Sequence, residues 1–262
     1  SVTREDVVVE DATRPTDAVP DRGLPALPTR TLPLMVLTPD GRGPFPIVEF
    51  SHGVTGDGPS YEGFLTEIAA AWYVVVAPTF PLSSGDQGTI FDYVNQPGDV
   101  YAALDATIER LGDVVDDERI AIAGHSLGAM TTIGAGFNSC CAQERVDAVI
   151  SFSGVETPFP GGEYDPFPPT PLLLVHGDAD GTIDVSGSEN LFAKATGPVA
   201  FLRHLGGRHS DIFIGDAGQL SAMAFVAWLD QWLLDDPTGI DALPAVVEAA
   251  GTATLTTRDV AA

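Results

Sequence analysis

The chain is short of positive charge. Only 12 of its 262 residues are Lys or Arg, and one alone, Lys194, is a lysine, against 37 Asp and Glu, for a formal net charge of -25. A surface so negative repels phosphate backbones and anionic headgroups, which excludes nucleic acid as a partner and argues against electrostatic docking on a membrane. Acidity of this kind keeps a chain soluble and needs no acidic binding patch to explain it. Long apolar runs are missing too: none approaches the ~20 residues of a membrane-spanning helix, so no integral membrane association is expected. Cysteine is nearly absent, and Cys140 and Cys141 are neighbours. Adjacent cysteines rarely meet disulfide geometry, so two free thiols are the expectation. No histidine or cysteine cluster has ligand spacing, and neither a metal nor a cofactor is expected. The chain begins at Ser1 with no methionine and no signal-like segment. A secreted, monomeric protein that has lost its signal peptide is expected, with a trimmed cytoplasmic chain as the alternative.

What is present is alternation. Residues 1–34 carry Pro15, Pro20, Pro25, Pro28 and Pro33 and read as edge strands and turns around a strand at 7–10. Apolar, β-branched runs at 32–37, 45–50, 72–78, 120–123, 146–153, 172–175 and 200–202 read as strands. Helical spacing appears at 61–71, 98–111, 189–195 and 220–234. Such alternation predicts a mostly parallel sheet with helices on both faces, in one α/β domain over 1–262. Residues 154–171 hold Pro158, Pro160, Pro166, Pro168 and Pro169, too few residues and too many prolines for a cap domain. The site should therefore be open, with Phe159, Tyr164 and Phe167 as candidate walls. The tail, 237–262, adds an edge strand or packs on the body.

The chemistry centres on residues 119–136, RIAIAGHSLGAMTTIGAG. A short apolar strand runs into Gly124-His125-Ser126-Leu127-Gly128 and then into small helix formers, the strand-turn-helix context of a nucleophile elbow. Ser126 is the nucleophile candidate, and the N–H of Leu127 is a candidate oxyanion donor. The strand 45–50 ends in SHGVTG, where the N–H of Val54 is the candidate for the second donor. Serine needs a base, and the base needs an acid to orient it. After Ser126, the strand at 172–175 breaks into HGDADG, which offers Asp180, with Asp178 as competitor and Asp184 past the turn. His209 in LGGRHS is the preferred base over His204 at a strand end. His176 and His52 read as braces for the acid and oxyanion loops. His125 could line the site.

The segments PIVEFSHGVTG, RIAIAGHSLGA, LLLVHGDADGTID and LGGRHSD resemble the signature regions of α/β-hydrolases. More narrowly they are similar to dienelactone hydrolase-like esterases, bacterial relatives of platelet-activating-factor acetylhydrolase, and cutinase-like polyester hydrolases. The resemblance implies an α/β-hydrolase fold without a large cap, Ser126, Asp180 and His209 as triad, and Val54 and Leu127 as oxyanion donors. It also implies a carboxylic ester hydrolase acting on small-molecule or polymeric esters, of short to medium acyl length or of lipid or polyester type. The chain departs from dienelactone hydrolases, whose nucleophile is cysteine. Polyester hydrolases commonly place an aromatic residue where Val54 stands and a tryptophan near the position of Phe159. Rival readings keep the triad in an acyltransferase or thioesterase, or make the fold a catalytically silent binding module.

Overall fold

A computed structural model describes residues 1–260. Nine strands form one sheet in the order β1-β2-β4-β3-β5-β6-β7-β8-β9. Two long strands open it, β1 (Val2–Asp11) and β2 (Arg30–Pro39), paired antiparallel from Val2 opposite Pro39 to Asp11 opposite Arg30. β3 (Phe45–Ser51), β4 (Val74–Pro78), β5 (Val115–His125), β6 (Ala148–Phe152), β7 (Leu172–Gly177) and β8 (Val199–His204) are mutually parallel. β2 meets β4 antiparallel, so the parallel centre carries antiparallel strands at both ends.

β3, β4, β6 and β7 are buried along their whole length, and β5 is buried from Ile120 to His125, as expected where helices cover both faces. Successive side chains point to opposite faces. Val48 and Phe50 thus join a core with Phe64 and Ile68 of α1 (Glu62–Ala70) and Phe225 and Trp228 of α5 (Gly215–Leu233). Ile47 and Ile122 join the opposite core, with Val100 and Leu104 of α2 (Gln96–Leu111), Ile133 of α3 (Leu127–Phe137) and Leu191 of α4 (Ser186–Lys194). Pro97 sits in the first turn of α2, where its missing N–H costs no helical hydrogen bond. Among the described residues no helix is long and apolar enough to cross a membrane.

Several expectations are corrected. Trp72 does not begin β4; it occupies a left-handed turn at φ 76° and is 56% exposed, because the chain must reverse between α1 and Val74. The tail, by contrast, does add an edge strand as expected: α6 (Thr238–Ala250) buries Ile240, Leu243 and Val247, and β9 (Ala253–Arg258) closes the sheet edge antiparallel to β8. Residues 261 and 262 lie outside the described residues. Cys140 and Cys141 are not free thiols but form a disulfide with each other. Asn138 closes the turn beneath them, its side chain accepting the Cys140 N–H at 3.0 Å and its carbonyl the Cys141 N–H at 2.9 Å. A turn puts neighbouring side chains on one side, whereas an extended pair would point apart.

The loop between β4 and α2 is held from beneath by a buried charge cluster. Arg30 is 1% exposed, and its guanidinium bonds Asp99 at 2.5 and 2.8 Å and Asp92 at 2.8 and 3.2 Å. Arg14 reaches Asp99 as well, at 2.8 Å. The proline-rich segment between β1 and β2 is thereby pinned to residues 91–99, which border the site.

Candidate active site

Ser126 stands between β5 and α3 with φ 58° and ψ -119°, a conformation that costs an L-residue energy and persists only where its surroundings enforce it. Two close approaches enforce it. A Cβ on Gly128 would run into the Ser51 carbonyl, and one on Gly124 into the Gly128 carbonyl. The Ser126 N–H donates to the Phe152 carbonyl at 2.9 Å, tying the turn to β6.

Three residues far apart in sequence meet here. Ser126 Oγ lies 2.8 Å from His209 Nε2, and His209 Nδ1 lies 2.7 Å from Asp180 Oδ2. A carboxylate only accepts, so Nδ1 carries the proton and the neutral ring turns its Nε2 lone pair to the serine hydroxyl. Burial alone would push the Asp180 carboxyl up. Hydrogen bonds from His209 and from the N–H groups of Thr182 and Ile183 outweigh it and hold the pKa below the usual range. The acid loop and the histidine loop are themselves joined, with the Ala179 N–H on the Gly207 carbonyl at 3.0 Å and the Gly206 N–H on Asp178 at 2.6 Å.

The competing residues have other partners. Asp178 faces the histidine-loop backbone, and Asp184 accepts the Ser186 N–H at 2.9 Å at the start of α4. His204 points away from the site to Ser221 at 3.0 Å, and burial lowers its pKa to about 4. His176 braces Asp180: its Nε2 proton is shared between Asp180 at 3.1 Å and the Ile183 carbonyl at 3.0 Å, leaving Nδ1 for Ser188 at 2.7 Å. His52 accepts the Phe80 N–H on Nε2 at 2.9 Å, so its Nδ1 donates to the Gly53 carbonyl at 2.7 Å. That bond stiffens the loop carrying Val54. Val54 and Leu127 both border the space above Ser126, and among the described residues neither N–H finds a protein acceptor.

A cleft of about 530 Å³ opens beside Ser126. Its apolar walls come from Val54, Ile90, Phe91, Tyr93, Met130 and Ile183. Phe159 is not a wall: it is 4% exposed, packed over Gly134 of α3 and edge-on to Tyr93 at 5.1 Å. Tyr164 and Phe167 are buried likewise, Phe167 stacked on Phe137 at 4.3 Å. A proline-rich segment has little helix or strand bonding of its own, so its aromatics anchor it to the body instead of facing solvent. His125 does not face the cleft either; it is hydrogen-bonded at both nitrogens, and burial, then the neighbouring His209, lowers its pKa to about 3. Sequence reasoning missed Ile90 and Phe91, which are 53% and 79% exposed. The signal was there in TIFDYV, an apolar-aromatic string stranded between a Gly/Ser-rich loop and Pro97.

Sheet order and the strand-turn-helix at Ser126 define an α/β-hydrolase fold. The chain belongs to the chlorophyllase family, a family of α/β-hydrolase-type serine esterases, whose sequence model matches residues 15–166. It is also 24% identical over 139 residues to Chlorophyllase-1, chloroplastic, from Citrus sinensis, covering 50% of this chain and 42% of that protein. The chain thus spans less than half the length of that curated relative. The family match contains the oxyanion loop and the elbow and ends before Asp180 and His209, so those two rest on geometry.

Proposed function

We propose that the protein is a serine carboxylic ester hydrolase with Ser126 as nucleophile, His209 as general base and acid, and Asp180 as the group that orients His209. The observation that carries this reading is the continuous row from Asp180 Oδ2 to His209 Nδ1 at 2.7 Å and from His209 Nε2 to Ser126 Oγ at 2.8 Å. His209 takes the hydroxyl proton as Ser126 attacks the ester carbonyl, and the oxyanion is held by the N–H groups of Val54 and Leu127. The alcohol leaves with the proton from His209, and water repeats the sequence on the acyl-enzyme.

The substrate we propose is an apolar ester of short to medium acyl length, one side of which rests against Ile90, Phe91 and Met130 in the cleft. Lipid and polyester (cutin- or PET-like) esters belong in the substrate panel on the strength of the motifs, and chlorophyll on the strength of the relative's name. We further propose that residues 1–262 act as one catalytic unit, supported by the single sheet that runs from β1 to β9. Secretion is supported by the Cys140–Cys141 disulfide, since such bonds persist in oxidising compartments. The test is hydrolysis of p-nitrophenyl acetate to palmitate: wild type should turn over the shorter esters and Ser126→Ala should not. Product analysis with added alcohols or thioesters separates hydrolysis from acyl transfer and thioester cleavage.

A further inference from the structure

Tyr61 and His125 take no part in the row from Asp180 to Ser126, yet both are bonded to the backbone that carries it. The Gly53 N–H, one residue before the oxyanion donor Val54, donates to Tyr61 Oη at 3.2 Å. Tyr61 Oη lies 2.7 Å from His125 Nδ1. His125 Nε2 lies 3.1 Å from the carbonyl oxygen of His209 itself. Roles along this path are fixed by its far end. A carbonyl can only accept, so Nε2 holds the proton; Nδ1 then offers a lone pair, and the tyrosine hydroxyl donates to it. Both groups stay uncharged for this task, the tyrosine pushed up to about 12 and the histidine down to about 3, in each case by burial first.

We infer that Tyr61 and His125 are positioning residues for the ester hydrolysis proposed above, locking the oxyanion loop to the loop of His209 so that donor and base keep a fixed separation at the ester carbonyl. The inference rests on that reading of Ser126 and adds a role for two residues outside the triad. Aromatic packing supports the path: the His125 ring lies 4.8 Å from His209 and 4.9 Å from Phe213, and Tyr61 packs at 4.8 Å on Phe50 and 5.4 Å on Phe213. Tyr61 is the only acceptor of the Gly53 N–H among the described residues. The His209 carbonyl has one other donor, Ser153 Oγ at 3.3 Å, so the tyrosine end is the less redundant one. Without the Tyr61 hydroxyl, His125 is free to take the opposite tautomer, which would turn a nitrogen lone pair on the His209 carbonyl.

Tyr61→Phe removes one oxygen and keeps the ring packing. It should lower kcat for p-nitrophenyl butyrate by roughly 10- to 100-fold, as small misplacements of catalytic groups do, and slow phosphonylation of Ser126 by a fluorophosphonate by a similar factor. KM should stay within about twofold, because binding is not what the path provides. At the other end, His125→Gln can still donate to the His209 carbonyl and should retain more kcat than His125→Leu at matched melting temperature. A Tyr61→Phe enzyme with wild-type kcat, a loss confined to KM, or equal kcat in the Gln and Leu variants would overturn the inference while leaving the esterase reading standing. Turnover retained in Ser126→Ala would overturn both.

Discussion

Asp180 meets His209 through Oδ2 at 2.7 Å while its other oxygen, Oδ1, accepts the N–H groups of Thr182 and Ile183 at 2.8 and 3.1 Å. The carboxylate is therefore fixed by its own turn before it orients the histidine. Asp180→Asn keeps the shape but cannot hold the same imidazole tautomer, and kcat should fall by roughly 10⁴-fold. Asp178→Asn should leave kcat within about threefold, since Asp178 bonds only the Gly206 backbone. Steady-state kinetics on p-nitrophenyl butyrate, with melting temperatures recorded alongside, distinguish the two.

Arg30 is predicted to be the most sensitive charged position for stability. Arg30→Met leaves Asp92 buried without its cation and Asp99 with Arg14 alone, and loss of one partner of a buried ion pair costs about 3–5 kcal/mol. Denaturant unfolding should show that loss as a lower midpoint with an unchanged slope. Hydrolysis of longer esters should weaken with it, because the same cluster pins the segment bearing Phe91.

Glu49 lies on β3, fully buried, with Ser51 as its hydrogen-bond donor at 2.8 Å and its second carboxyl oxygen unpartnered among the described residues. Burial raises its pKa well above the usual 4.5. The folded state then holds a proton that the unfolded chain releases, so its contribution is complete below pH 4.5 and is lost as pH rises toward the folded pKa. Glu49→Gln mimics the protonated group and removes that dependence. The variant should gain on wild type by roughly 1 kcal/mol per pH unit above pH 4.5 until the folded group itself ionises, with no gain below that pH. Thermal melts between pH 4 and 8 measure it.

Ile90→Ser combined with Phe91→Ser should raise KM for octanoate and longer esters by about tenfold and leave acetate unchanged, since each exposed apolar side chain offers contact only to a chain long enough to reach it. The ratio of kcat/KM across a chain-length series reports it.

The elbow was legible because its glycines are dictated by backbone contacts that tolerate no side chain, as the Gly128 approach to Ser51 illustrates. The parallel strands were legible because burial on both faces removes polar residues from them. Phe159 misled for a physical reason: proline density marks a segment as irregular but does not say which way its aromatics turn, and here they turn inward. His125 was visible as the elbow's variable residue. Its partners Tyr61 and the His209 carbonyl were not, because a backbone acceptor and a residue 64 positions away leave no local pattern. The Cys140–Cys141 disulfide depends on a turn set by Asn138, which adjacency alone does not reveal.

Covalent labelling tests the central claim most directly. Intact-mass and peptide analysis after treatment with a fluorophosphonate should show one adduct, on Ser126, formed by wild type, slowed severely in His209→Ala and absent from Ser126→Ala. A wild-type protein that stays unlabelled, or that carries the adduct on another serine, would contradict it.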